Sequence, residues 1–197
     1  MRLVVAILLL AVAAGFAVGG RLSGLSRLKI AWAPLALVGL ALQYLSPSAG
    51  RWPFILLMAS FAVLAVFAAR NLAIPGFALI LAGLCLNVIV IGLNHGMPVT
   101  QRALVASGQQ STLDELINDG GAKHHLAGPN DRLLFLGDVT PLAPPVGQIV
   151  SAGDVVAYAG VAYVVVAGMR RGRRTGPSLE RIPVGTGDVT AGDVTDG

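Results

Sequence analysis

The stretch Leu93–Gln101, "LNHGMPVTQ", gathers an amide, an imidazole and a hydroxyl around a Gly–Met–Pro turn. Further along lie a second imidazole pair, His124 and His125, and the carboxylates Asp138 and Asp154. Histidine is the side chain best suited to take or give a proton near neutral pH. His124 and Asp138 are therefore the candidates for acid–base catalysis. Asn94, Gly96, Met97, Pro98, Lys123, His124, Asp138 and Asp154 make up the candidate binding set.

Other chemistries find less support. A metal needs three or four converging ligands, whereas adjacent histidines point apart and no HExxH spacing occurs. No metal and no cofactor are expected. Ser107, Ser111 and Ser151 lack the turn that activates a nucleophilic serine. Cys85 is the only cysteine, which rules out a disulfide framework.

The same residues also have a structural account. His95 sits where a helix dipole favours a cation, Gly96 can take a left-handed cap, and Pro98 forbids continuation. The opening stretch reads first as a helix stop, and second as a site-forming turn. Asn87 lies seven residues before Asn94 on nearly the same helical face, with Gly83 one turn earlier. An unpaired amide in hydrocarbon costs several kcal/mol, so Asn87 needs a partner, and Gln43 is a candidate. That contact would be interhelical glue or part of a path for a solute. Ser151 and Asp154 have the spacing of a capping box at a helix start.

The elements that position these groups are apolar. Of 197 residues, 55% are hydrophobic and 12% charged, about half the charge of an average soluble domain. The apolar residues fall in runs close to the ~20 needed to cross a bilayer. Five spans are expected: Leu3–Gly19, Ile30–Leu45, Trp52–Ala69, Leu72–Leu93 and Val150–Met169. Trp32, Tyr44, Trp52 and Tyr158 near their ends suit the headgroup region. Pro34 and Pro75 suit first helical turns. The net charge of +4 lacks the basic, aromatic-interleaved patch of a nucleic-acid binder.

Arg2 stands alone before the first span, while Arg21, Arg27 and Lys29 follow it. By the positive-inside rule that span is retained with its start outside. Alternate loops then hold nine basic residues inside (Arg21, Arg27, Lys29, Arg70, Arg170, Arg171, Arg173, Arg174, Arg181) and five outside (Arg2, Arg51, Arg102, Lys123, Arg132). The expected fold is an all-α integral membrane protein with five transmembrane helices, N-terminus out and C-terminus in. A small extracytoplasmic cap lies between helices four and five.

The chain divides into a four-helix bundle (1–93), the cap (94–149), the fifth helix (150–171) and a disordered cytoplasmic tail (172–197). The tail is Gly-, Thr- and Asp-rich, with "GDVT" twice, and cannot bury enough apolar surface to order itself. In the cap, "STLDELINDGG" predicts a short helix capped by Ser111 or Thr112, ended by Gly120, with Leu113, Leu116 and Ile117 as its apolar face. "RLLFLGD" is a second apolar patch, and "PLAPP" predicts a stiff extended strap. Gly15 and Gly19 form a GxxxG that allows close approach within the chain or between copies, a route to a homo-oligomer.

Taken together and in order, "NHGMPV", "KHHL", "LGD" and "SAGD…YAG" resemble the bacterial membrane proteins of domain-of-unknown-function family 5317, over roughly residues 1–171. Asn94 with Gly96–Val99 resembles the family's Met–Pro–Val segment. Lys123–His124 resembles its Lys–His pair, Leu136–Asp138 its Leu–Gly–Asp, and Ser151, Gly153 and Asp154 its helix-start motif. At His95 the chain departs from a glycine-rich stretch in the family pattern, which favours His124 over His95. The resemblance implies a bacterial multi-pass membrane protein and supplies no reaction.

Three functions remain. The first, favoured by the helix-packing residues and the missing reaction motif, is a non-catalytic component of the cell membrane. Its partners would be the lipid bilayer and another membrane or exported protein docked on the cap. The second is a membrane enzyme acting on a lipid-linked or exported substrate at the outer face. The third, a small transporter or channel, lacks the intramembrane charges usual in coupled transport.

Overall fold

The computed structural model describes residues 2–44, 52–118, 120–121 and 123–171. The expectation of a disordered tail over 172–197, and the basic residues Arg51, Arg173, Arg174 and Arg181, lie outside them. Five apolar helices are present: α1 (Arg2–Ala17), α2 (Ala33–Tyr44), α3 (Trp52–Arg70), α4 (Phe77–Asn94) and α7 (Ala152–Arg171). Of these, α3, α4 and α7, with 19, 18 and 20 residues, are long and apolar enough to cross a membrane. α1 and α2 are shorter, with 16 and 12 residues.

Identifiable stops set these lengths. α1 ends in a Schellman turn: Gly19 is left-handed (φ 76°) and the Gly20 amide donates to the Gly15 carbonyl. α2 starts three residues later than expected, after Trp32 takes a left-handed φ of 55°. α4 starts five residues later than Leu72. Residues 71–76 form a turn in which the buried Asn71 amide brackets the main chain of Ala31, accepting from its N–H and donating to its carbonyl.

The helices run alternately between two ends. At one end the Arg2 guanidinium donates to the Pro145 carbonyl, and the Leu3 amide donates to Gln148 Oε1. At the other, the Arg21 amide donates to the Met169 carbonyl, and the 3-10 turn Leu22–Arg27 packs on α7. Gly15 is occupied within the chain, since a Cβ there would strike Met169, and Gly19 is spent as the helix stop.

The segment between α4 and α7 is not purely helical, which corrects the all-α expectation. It holds two short helices, α5 (Gln101–Ala106) and α6 (Gln110–Asn118), and two two-stranded sheets. β1 (Met97–Val99) runs parallel to β2 (His124–Leu126), with Met97 opposite His124, and Val99 bridges Asp138 on its other edge. Pro98 forbids a helix here, and a buried extended segment must pair its remaining backbone groups. β3 (Thr140–Leu142) and β4 (Gln148–Val150) form an antiparallel hairpin, so "PLAPP" turns back on itself instead of running as a strap.

α6 begins at Gln110, placing Ser111 and Thr112 inside it and not at its cap. Leu113 is buried beneath Val99 and Leu104, Leu116 packs beside them, and Ile117 is exposed. The cap is seated on the bundle through Met97 and Leu136, which join Leu57, Phe61, Val90 and Ile91 in one apolar cluster.

Candidate functional site

The site begins at the crossing of α4 and α7, where side chains are missing on both helices. A Cβ on Gly160 would stand 2.7 Å from the Ile80 amide, and one on Gly83 2.6 Å from the Ala157 amide. This close approach places Asn87 of α4 directly against the first turn of α7. Its Nδ2 donates to Asp154 Oδ1 at 2.8 Å, and the Ser151 hydroxyl donates to its Oδ1 at 2.8 Å.

The capping box predicted at Ser151 and Asp154 is complete. The Asp154 amide donates to Ser151 Oγ at 3.0 Å, and the Ser151 amide to Asp154 Oδ2 at 3.2 Å. Asn87 therefore finds its partners on α7 and not in Gln43, whose Nε2 donates to Ser60 Oγ.

The second half of the site comes from the cap. Pairing of β2 with β1 brings Lys123 and His124 over the end of the bundle, and the bridge from Val99 brings Asp138 beside them. His124 Nε2 stands 3.5 Å from Asp138 Oδ2. His125 points the other way, to Asp131 Oδ1 at 2.9 Å. Burial pushes Asp131 up, but bonds from the Gly128 amide and His125 prevail and hold it below the usual carboxylate range. Lys123 Nζ donates to the carbonyl of Gln43, tying β2 to α2.

Burial, then the nearby charge of Asp154, raises Asp138 to about 7. Its Oδ1 is buried and accepts no hydrogen bond among the described residues, which leaves the anion poorly solvated. His124 is lowered by burial and then by the positive Lys123. Half of the imidazole surface is accessible, and the ring lines two cavities. Both shifts favour the neutral forms. Near pH 7 the Asp138 carboxyl is about half protonated beside a neutral imidazole, a pair able to give or take one proton.

A cavity of about 750 Å³ lies between this pair and the α4–α7 crossing, within the ~300–1,000 Å³ typical of small-molecule sites. Its polar wall carries Gln43, Asn87, Lys123, His124, Asp138, Asp154 and Tyr158. The rest is apolar, from Val4 and Val5 of α1, Leu40 of α2, Leu57 and Phe61 of α3, Ile91 of α4 and Met97. A second, smaller cavity of about 180 Å³ inside the cap shares His124 and Asp138 as its wall.

Of the predicted binding set, Met97, Lys123, His124, Asp138 and Asp154 meet at the larger cavity. Asn94 does not: its side chain clamps the loop at Arg132, accepting from the amide and donating to the carbonyl. His95, not Gly96, takes the left-handed cap (φ 57°), and its ring stacks on Phe54 at 5.7 Å, away from the site. Gly96 allows close passage of β2, and the carbonyl of buried Pro98 accepts from the Asp138 amide. Ser107 donates to the Leu104 carbonyl, and Ser151 is committed to the capping box.

Sequence reasoning missed Tyr158 as a lining residue. The available signal was its position one turn after Asp154 on the same helical face. No group of three or more His, Cys, Asp or Glu residues converges for a metal among the described residues.

No curated protein and no solved structure matches the chain. Residues 25–166, which include β1, β2 and the paired cavity-lining residues from Leu40 to Tyr158, match the model of one protein family. The chain belongs to that family, described as a family of unknown function (DUF5317).

Proposed function

We propose that this protein is a five-span membrane enzyme, N-terminus outside and C-terminus in the cytosol. Its outer-end cavity takes a lipid-linked or exported substrate and exchanges a proton with it through His124 and Asp138. The observation that carries the reading is the convergence of two ionisable side chains from separate segments of the cap at 3.5 Å, on the wall of a substrate-sized cavity. His124 acts as base and Asp138 as acid, while Asn87 and Asp154 hold the substrate's polar end.

Charge placement supports the orientation. Arg21, Arg27, Lys29, Arg70, Arg170 and Arg171 gather at the end opposite the cap, as expected for a cytoplasmic face. The short α1 and α2 are compatible with spanning where the bilayer thins locally and flanking residues reach the interface.

Complementation of a deletion strain tests the catalytic part. The double variant His124→Ala/Asp138→Asn, present in the membrane at the wild-type level, should restore a deletion phenotype no better than an empty vector. Full restoration would overturn the acid–base role.

A second reading, a cap that docks another membrane or exported protein, is favoured by the exposed Val105 and Ile117 on α5 and α6. Val105→Asp and Ile117→Asp should then release a partner that co-purifies with the wild type in mild detergent. Retention of that partner by both variants would dispose of this reading.

A further inference from the structure

Two edges of the cavity's apolar side come from helices that share no extended interface among the described residues. Val4 and Val5 of α1 line one edge, and Leu40 and Gln43 of α2 line another. Yet α1 packs along α7, and α2 packs along α3, with no extended α1–α2 interface among the described residues. In a soluble protein such a gap would be a hydrophobic liability. In a bilayer it opens onto acyl chains.

The gap leads inward past Leu40 to Leu57, Phe61 and Ile91, each less than one-tenth exposed and each on the cavity wall. Beyond them stand Asn87, Asp154 and the His124–Asp138 pair. The cavity thus grades from an apolar side to a polar inner wall, the profile of an amphipathic molecule entering sideways.

The polar wall limits the head group. Asp138 and Asp154 both face the cavity, whereas the ammonium of Lys123 is engaged by the Gln43 carbonyl. The nearby charge of Asp154 disfavours an anionic head, and Lys123, tied to Gln43, offsets it only in part. Asn87, Tyr158 and the His124–Asp138 pair offer hydrogen-bond partners to hydroxyls.

The geometry points to a lateral portal between α1 and α2 through which a long-chain lipid with an uncharged, hydroxyl-bearing head enters from the bilayer, its head reaching His124 and its chain lying between the two helices. This rests on the acid–base reading above and names the substrate class for the same cavity.

The test uses the full-length protein in nanodiscs doped with a diacylglycerol carrying a diazirine in its acyl chain. After irradiation, labelled residues are mapped by mass spectrometry. Labelling of Leu57, Phe61 or Ile91 is expected, because lipid that only coats the outside cannot reach these side chains. The paired substitution Val5→Trp/Leu40→Trp should abolish that interior labelling while leaving Leu9, Leu10 and Leu37 labelled, since these are exposed on the outer surface.

Labelling confined to such outward residues in the wild type would overturn the portal. Interior labelling equally strong with a diazirine-tailed phosphatidylglycerol would overturn the uncharged head. If the portal fails while the His124→Ala/Asp138→Asn variant still loses complementation, the acid–base site stands and its substrate arrives from the aqueous side.

Discussion

Two polar clusters share the wall of one cavity and are built on opposite terms. Around Asn87 each polar side chain has a partner: Asn87 meets Asp154 and Ser151, and these close the capping box on each other. Elsewhere on the same wall, His124 and Asp138 stand 3.5 Å apart, and one carboxylate oxygen of Asp138 is buried with no hydrogen bond among the described residues. Folding normally satisfies buried polar groups, because an unmade bond forfeits the full desolvation cost. The complete cluster is what holds α4 to α7. The incomplete one is what stability alone does not explain, and the acid–base role proposed above rests on it.

Breaking the complete cluster should have the largest effect. Asn87→Leu leaves the Ser151 hydroxyl and Asp154 Oδ1 without their partner at a close helix crossing, and should cost about 2–3 kcal/mol. Thermal unfolding in detergent should show this as a lowered midpoint. An unchanged midpoint would mean the cluster is dispensable, and the contrast between the two clusters would collapse.

Relieving the incomplete cluster should act with the opposite sign. Asp138 binds its proton more tightly when folded (about 7) than when unfolded (3.8). Its stabilising contribution is therefore full below the unfolded value and is lost as pH rises through about 7. Asn cannot ionise. Asp138→Asn should match the wild type near pH 4 and exceed it increasingly as pH rises toward about 7, levelling off above that value. Unfolding curves of the two proteins that stay parallel across this range would show that Asp138 is not held in its neutral form.

The smallest change is expected at the histidine outside both clusters. His95→Gly removes a left-handed non-glycine residue, a gain, and a stack on Phe54, a loss. These offset to within about 0.5 kcal/mol. Complementation should be unaffected, and a large loss of either stability or function would bring His95 back into the site.

How much of this was legible in the chain differs by element. The capping box at Ser151 and Asp154 could be read because its partners are three residues apart, and local spacing fixes local geometry. The divergence of His124 and His125 followed from the alternation of side chains along an extended backbone. The partner of Asn87 was misread as Gln43, because no local pattern points an amide to Ser151 or Asp154, 64 and 67 positions away. The start of α6 was misplaced for a related reason: Ser111 and Thr112 are good caps in isolation, but with Leu113 buried beneath Val99 and Leu104 the helix starts two or three residues earlier.

The sequence by itself determined the family, the apolar helices and the identities of His124, Asp138 and Asp154 as groups able to do chemistry. These depend on composition and on neighbours along the chain. Tertiary structure alone decided that β2 lies parallel to β1, that Asp138 bridges Val99, and that glycines on α4 and α7 let Asn87 touch Asp154. Each of those contacts joins residues 27 to 67 positions apart in sequence. Such pairings are chosen by packing and backbone satisfaction across the whole fold, and no local pattern encodes them.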